Sequence, residues 1–246
     1  MVIRLDFGLI LDSENMSKNK NKTIPDKYSN SLEADIWSVF KIMGEFVEGY
    51  ERMLKIGPCV SIFGSARFKE DHIYYKMAEE VAFKLTQVGF GVITGGGPGL
   101  MEAGNKGAKL GNGKSVGLTI RLPFETDANS YVDRDHLIQF NYFFARKVML
   151  VKYAQGFVVL PGGVGTLDEF FESLTLMQTG KINRFPVVLM GKKYWEGLLV
   201  WMRETLLEEG AISGKDLELF IVTDDCDEAV EYLTQFYETH KLAPNF

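Results

Sequence analysis

Cysteine is almost missing from this sequence of 246 residues: Cys59 and Cys226 are the only two. Two thiols build no disulfide framework, and a reduced cytoplasmic setting is the simplest reading of them. Histidine is nearly as scarce. His72, His136 and His240 stand apart with no ligand spacing, so nothing points to a metal site. Positive charge is outweighed, 27 Lys and Arg against 33 Asp and Glu, and the formal net charge of −6 argues against a general nucleic-acid or membrane-surface binder. No apolar run approaches the ~20 residues of a membrane span. Residues 2–11 are apolar-rich but carry Arg4 and Asp6, and they lack the basic start, long apolar centre and small-residue cleavage site of a signal peptide.

What is present reads as one α/β domain behind an N-terminal extension. A chain of this length can bury a large core, and 46% hydrophobic with 24% charged residues is ordinary for a globular protein. Residues 13–31 are polar and Lys/Asn-rich, so residues 1–31 are expected to be a flexible tail. Met16, just before the lysine-rich run, is a plausible natural start, with residues 1–15 an extension. From Leu32 the pattern changes: Leu32, Ile36, Val39, Phe40, Met43, Val47, Tyr50 and Leu54 recur at helical steps. An amphipathic helix over 32–56 is predicted, packing beside a sheet and contributing to an oligomer interface. Residues 57–246 then alternate short apolar strands (59–63, 91–94, 114–120, 157–160, 186–190, 220–223) with helices (74–88, from 100, 142–153, 194–209). Such alternation predicts a Rossmann-like, doubly wound parallel sheet in a single domain. Ligands of such sheets sit at the carboxyl ends of the strands, where the strand order switches. Three of these strands end in glycine-bearing loops.

The densest stretch runs from Leu160 to Glu169. Gly162, Gly163 and Gly165 allow the backbone to turn tightly and approach a ligand. The apolar positions 167, 170, 171 and 174 then start a helix. A strand, a glycine loop and a helix N-terminus together make an anion site. Thr166 is placed to cap the helix, with Glu169 completing a T-x-x-E capping box. Glu169 thus has two readings, cap partner or functional acid. The loop misses the dinucleotide fingerprint, since Asp168 stands where the third glycine belongs, and so does the loop at Gly95. Residues 108–115 nearly match a P-loop, but they lack its first glycine and lead into a strand, so they read as a turn. Arg146 and Lys147, set among apolar residues, read on pattern alone as a solvated edge.

Residues 161–169, Pro-Gly-Gly-Val-Gly-Thr-Leu-Asp-Glu, resemble the P-G-G-x-G-T-x-x-E signature of the Lonely Guy (LOG) family. Phe63-Gly64-Ser65, the run Gly95-Gly96-Gly97-Pro98-Gly99-Leu100-Met101, and Arg146-Lys147 match in order, so the resemblance spans about 60–222 and is closest to the longer bacterial branch. It implies a cytokinin riboside 5′-monophosphate phosphoribohydrolase, a group often labelled lysine decarboxylase. It further implies Glu169 and Arg146 as catalytic residues. The substrate or its phosphate would be held by Gly162, Gly163, Val164, Gly165, Thr166, Asp168, Lys147, Gly64, Ser65, Gly96, Gly97 and Met101. Glu125 would contact base or substrate, although its loop also reads as a surface turn. The expected activity is hydrolysis of the N-glycosidic bond of a purine nucleoside 5′-monophosphate, with no metal or redox cofactor called for. The expected assembly is a homodimer or higher symmetric oligomer. A nucleotide or molybdenum-cofactor carrier of the same fold is the competing class. A pyridoxal-dependent decarboxylase is weaker, because no lysine sits in a Schiff-base context.

Overall fold

The computed structural model describes residues 32–121 and 128–246, with side chains from residue 36. The expected tail over 1–31, the start at Met16 and Glu125 lie outside the described residues. Contacts divide the chain into residues 1–39 and 40–246. Of the first unit only the opening turns of helix α1 (Leu32–Ile56) are described.

The larger unit is one seven-stranded parallel sheet: β1 (Cys59–Phe63), β2 (Gly91–Thr94), β3 (Ser115–Ile120), β4 (Leu137–Phe140), β5 (Ala154–Val159), β6 (Val187–Met190) and β7 (Ile221–Thr223). The spatial order is β4-β3-β2-β1-β5-β6-β7, every neighbouring pair parallel. The order therefore reverses between β1 and β5. That switch point is where an open α/β sheet leaves a crevice at its carboxyl edge.

Helices α2 (Ile73–Gln87), α3 (Leu100–Leu110) and α7 (Cys226–Thr239) cover one face. Helices α4 (Phe143–Lys152), α5 (Val164–Gln178) and α6 (Lys192–Trp201) cover the other with α1. Side-chain alternation along a strand assigns the faces. Val60, Ile62, Val158 and Val188 join the first core, while Cys59, Phe63, Phe157, Val159 and Val187 join the second. Both faces being buried explains why these strands read as unbroken apolar runs. Ser61 is one of the buried polar exceptions; its hydroxyl donates to the Leu150 carbonyl at 3.0 Å, tying the last turns of α4 to β1.

Four details depart from expectation. Strand β4 and helix α7 were not foreseen. β4 is a four-residue edge strand with Gln139 exposed, too short for a clear alternation. α7 opens on Asp225, whose carboxylate accepts from Asp227 and Glu228 N–H. Helix α1 forms over its predicted length but buries a different face. Phe46, Tyr50, Met53 and Ile56 pack inward, while Met43, Val47 and Leu54 of the predicted stripe are exposed. Gly49 sets that rotation: a Cβ there would lie 2.9 Å from Met149 Cε, so the glycine admits the side chain of α4. The expected 194–209 helix is α6 followed by a π-helical stretch, Met202–Leu207.

Candidate active site

The loops leaving β1, β2 and β5 converge at the switch point, and the backbone of Ser65 ties them together. Its N–H donates to the Pro161 carbonyl and its carbonyl accepts from Leu100 N–H, both at 3.0 Å, while Leu160 N–H donates to Phe63 O at 2.8 Å. Gly99 is required for this junction. It holds φ +69°, and a Cβ on it would lie 2.5 Å from Ser65 O. Behind the second loop a buried polar chain fixes its path. Thr94 Oγ1 accepts from Gly96 N–H and donates to Asn105 Oδ1. The Asn129 amide donates to the carbonyls of Gly96 and Gly97.

These loops border a cleft of about 630 Å³, lined among others by Gly64, Ser65, Gly97, Met101, Arg146, Gly162, Gly163, Val164, Gly165, Thr166 and Glu169. A slightly larger groove of about 740 Å³ lies elsewhere, beside Met177, Arg184 and Leu219. It has neither a glycine loop nor a buried acid, so the chemistry points to the switch-point cleft. Among the described residues no three His, Cys, Asp or Glu side chains gather in a way that could hold a metal ion.

The capping reading of Glu169 does not survive. Helix α5 begins at Val164 with Gly163 as its N-cap, and no side chain caps it. Thr166 therefore lies inside the first turn, its Oγ packed over Gly162, where a Cβ would lie only 2.1 Å away. The physical reason is that the glycine loop itself enters the helix, three residues earlier than the apolar periodicity marks. Free N–H groups of that first turn face the cleft end of the helix. Val164 is 84% exposed, and a Cβ at Gly163 or Gly165 would meet nothing within 4 Å. Neither glycine has positive φ, so the fold alone does not call for glycine at 165.

Glu169, released from any cap, is 7% exposed, and its Oε2 has no hydrogen-bond partner among the described residues. Burial pushes its carboxyl up to about 7, with Glu172 and Asp168 adding to the rise, while the charges of Lys147 and Arg146 oppose it. Arg146 approaches from α4, its guanidinium 5.2 Å over the Phe143 ring, and a Cβ at Gly95 would lie 3.7 Å from its Nη1. The start of α4 is held by Glu45 of α1, whose carboxylate accepts from Asn141 N–H at 2.8 Å and Tyr142 N–H at 3.2 Å.

Lys147 and Asp168 are placed differently from the rest. Lys147 Nζ lies 2.7 Å from Asp168 Oδ2 and 3.0 Å from Glu172 Oε2, and this α4–α5 clamp is not part of the cleft lining. Gly96 likewise stays behind the lining, at φ +72°. Sequence reasoning passed over Arg67, Phe68, Phe143 and Tyr194, which all line the cleft. Arg67 belongs to the same exit loop as Ser65. Tyr194 follows Gly191 at the end of β6, so the strand-then-glycine signal that marked the other loops applied there too.

A family model described as "possible lysine decarboxylase" matches residues 101–233. A cytokinin riboside 5′-monophosphate phosphoribohydrolase of Mycobacterium marinum is 30% identical over 157 residues, 63% of this chain and 83% of its own. The one of Mycobacterium tuberculosis is 30% identical over the same share of this chain and 82% of its own. Among solved structures, the molybdenum cofactor carrier protein of Chlamydomonas reinhardtii superposes with a TM-score of 0.54 at 23% identity, over 74% of this chain and 99% of that one. The molybdenum cofactor binding protein of Rippkaea orientalis gives 0.53 at 20%, over 73% and 95%. These structural likenesses speak to the fold. Glycine loops, buried glutamate, arginine and sequence relatives agree, and the chain belongs to the Lonely Guy (LOG) family.

Proposed function

We propose that this protein is a phosphoribohydrolase that cleaves the N-glycosidic bond of a purine nucleoside 5′-monophosphate, with adenine or an N6-substituted adenine as the base. The observation that carries the proposal is Glu169. It is a buried carboxyl whose Oε2 has no hydrogen-bond partner among the described residues, beside a helix N-terminus whose glycines leave open space. Such a group is poised to take a proton near neutral pH and to face developing positive charge. The names of the mycobacterial relatives support the same reaction.

In the reaction the C1′–N9 bond breaks and its electron pair leaves with the base. Water oxygen bonds to C1′, one water proton passes to Glu169 and from it to solvent, and the departing base takes a proton from solvent at N9. The products are free base and ribose 5-phosphate. The ionised Glu169 offsets the cationic ribose and orients the water. The N–H groups from Gly163 to Gly165, with the Thr166 hydroxyl, hold the 5′-phosphate at the positive end of α5. Arg146 keeps part of the Glu169 population ionised and offsets charge on the base as it leaves. A carrier of this fold would need the phosphate loop but not a carboxyl buried at such cost.

Incubating the purified protein with AMP should release adenine and ribose 5-phosphate in equal amounts; no adenine from AMP or from an N6-substituted AMP would refute the reading. Adenosine should bind much more weakly than AMP. The working form is a symmetric homo-oligomer in the cytoplasm. Exposed Met43, Val47 and Leu54 on α1, and Phe143 and Phe144 on α4, support contact between copies, and light scattering at micromolar protein gives the mass.

A further inference from the structure

The strand β6 ends at the same sheet edge as the glycine loops, and the segment after it reaches back to the first of them. Gly191 and Lys192 donate their N–H groups to Asp224 Oδ1, at 2.9 and 2.8 Å, which fixes the start of α6. A Cβ at Gly191, whose φ is +102°, would lie 2.8 Å from Pro161 Cγ, so the two loops are in close packing. Tyr194 follows in the first turn of α6. Its ring stands edge-on to Trp195 at 4.9 Å and to Tyr74 at 6.3 Å. Held there, it lines the cleft and donates its hydroxyl to the Gly162 carbonyl at 2.7 Å.

We propose that Tyr194 is a positioning residue for phosphate recognition: it fixes the orientation of the Gly162–Gly163 peptide. This inference rests on the phosphate placement in the proposed function, not on the identity of the base. A peptide unit is planar and trans, so its C=O and N–H leave in opposite directions. Holding the Gly162 oxygen at the tyrosine therefore points the Gly163 N–H away from Tyr194. A peptide flanked by two glycines meets little steric resistance to rotation, and the open space at Gly163 adds none. Without the hydroxyl this unit can turn and offer its partly negative oxygen to an incoming phosphate. A phenol at 2.7 Å, on a partly exposed ring set edge-on against two aromatic neighbours, opposes that rotation.

The test is Tyr194→Phe, which removes the hydroxyl and keeps the ring packing. Calorimetry with ribose 5-phosphate should show affinity reduced by roughly 3- to 10-fold, as loss of one well-placed hydrogen bond implies. KM for AMP should rise by a similar factor, with kcat within about twofold and adenosine binding unchanged. A merely structural tyrosine would lower Tm and weaken adenosine and ribose 5-phosphate alike, and that pattern overturns the proposal, as does unchanged ribose 5-phosphate affinity. Wild-type protein that binds ribose 5-phosphate but releases no adenine would end the hydrolase reading only; the Tyr194 comparison would still decide this proposal on affinities. Wild-type protein that releases adenine from AMP but binds no ribose 5-phosphate overturns this proposal and leaves the hydrolase reading standing.

Discussion

Replacing Glu169 by Gln should make the protein more stable at alkaline pH while removing most of its turnover. Burial holds the carboxyl at about 7 in the folded chain, against an ordinary 4.5. A carboxyl raised on folding binds its proton more tightly in the folded state. Stability is therefore lost as pH rises from about 4.5 to 7, and the penalty is complete above 7. At about 1.36 kcal/mol per pH unit the penalty approaches about 3 kcal/mol at pH 8. Gln cannot ionise, so the variant escapes it. Any fixed cost of burying the amide is present at every pH and cancels when two pH values are compared. About 2.5 kcal/mol of the penalty develops between pH 5 and pH 8, so relative to wild type the variant's Tm should rise over that interval by roughly 5–10 °C for a chain of this size. Turnover of AMP at pH 8 should fall roughly 10²- to 10⁴-fold, with AMP still bound. Thermal melting at both pH values and adenine release on this one variant measure both effects. A melting difference that does not change with pH would refute the raised pKa, and near-normal turnover would retire Glu169 as the catalytic group.

Arg146→Ala removes a positive charge that opposes the rise at Glu169; the acid limb of the kcat/KM–pH profile should move above its wild-type position near 7, with kcat/KM at pH 7 reduced. Gly165→Ala should stabilise α5 by up to about 1 kcal/mol, since alanine suits a helix better and meets nothing there; ribose 5-phosphate binding should weaken at least tenfold, and unchanged affinity would place the phosphate elsewhere. Binding of ribose 5-phosphate brings a dianion toward Glu169 and should take up protons. If the pKa rises by about one unit, uptake at pH 8 is about 0.4 proton, measured from binding heats in buffers of different ionisation enthalpy and lost in Glu169→Gln.

Much of the fold was legible because a parallel sheet covered on both faces leaves mostly apolar runs such as Cys59–Phe63, followed by Gly64, and Phe157–Leu160, followed by Pro161-Gly162-Gly163. The strand order was not legible. Nothing in a strand's own residues says that β1 lies against β5 and not β3, because pairing partners are set by how the crossovers pack. The face of α1 was misread for a related reason. Apolar spacing marked one stripe of the helix, whereas tertiary contacts select another, among them the close approach of Gly49 to Met149 and the hydrogen bonds of Glu45 and Arg52. In the site, the glycine loop and Glu169 stood out, but T-x-x-E spacing imitates a capping box. Spacing cannot show that the helix already starts at Val164. The ion pairing of Lys147 with Asp168 and Glu172 also depends on two helices lying side by side.

Those departures bear on why Glu169 is kept where it is. Local rules that a sequence obeys elsewhere are broken twice in the first two turns of α5. Glycine occupies a helical position with no packing neighbour to require it, and an acid is buried with an oxygen left unpaired. Each alone costs stability, and each has a cheap replacement, Ala at 165 and Gln at 169. The two costs answer to different parts of one ligand. Open backbone at 165 suits a phosphate, whereas an anion nearby makes the buried carboxyl harder to ionise. Only positive charge arising beside Glu169 relieves it, and no ground-state nucleotide carries such charge on its ribose. Under the proposed reaction, an environment that disfavours the carboxylate until the glycosidic bond begins to break would be stabilising toward the transition state and not toward the bound substrate. A protein that only carried a nucleotide would gain nothing from that arrangement.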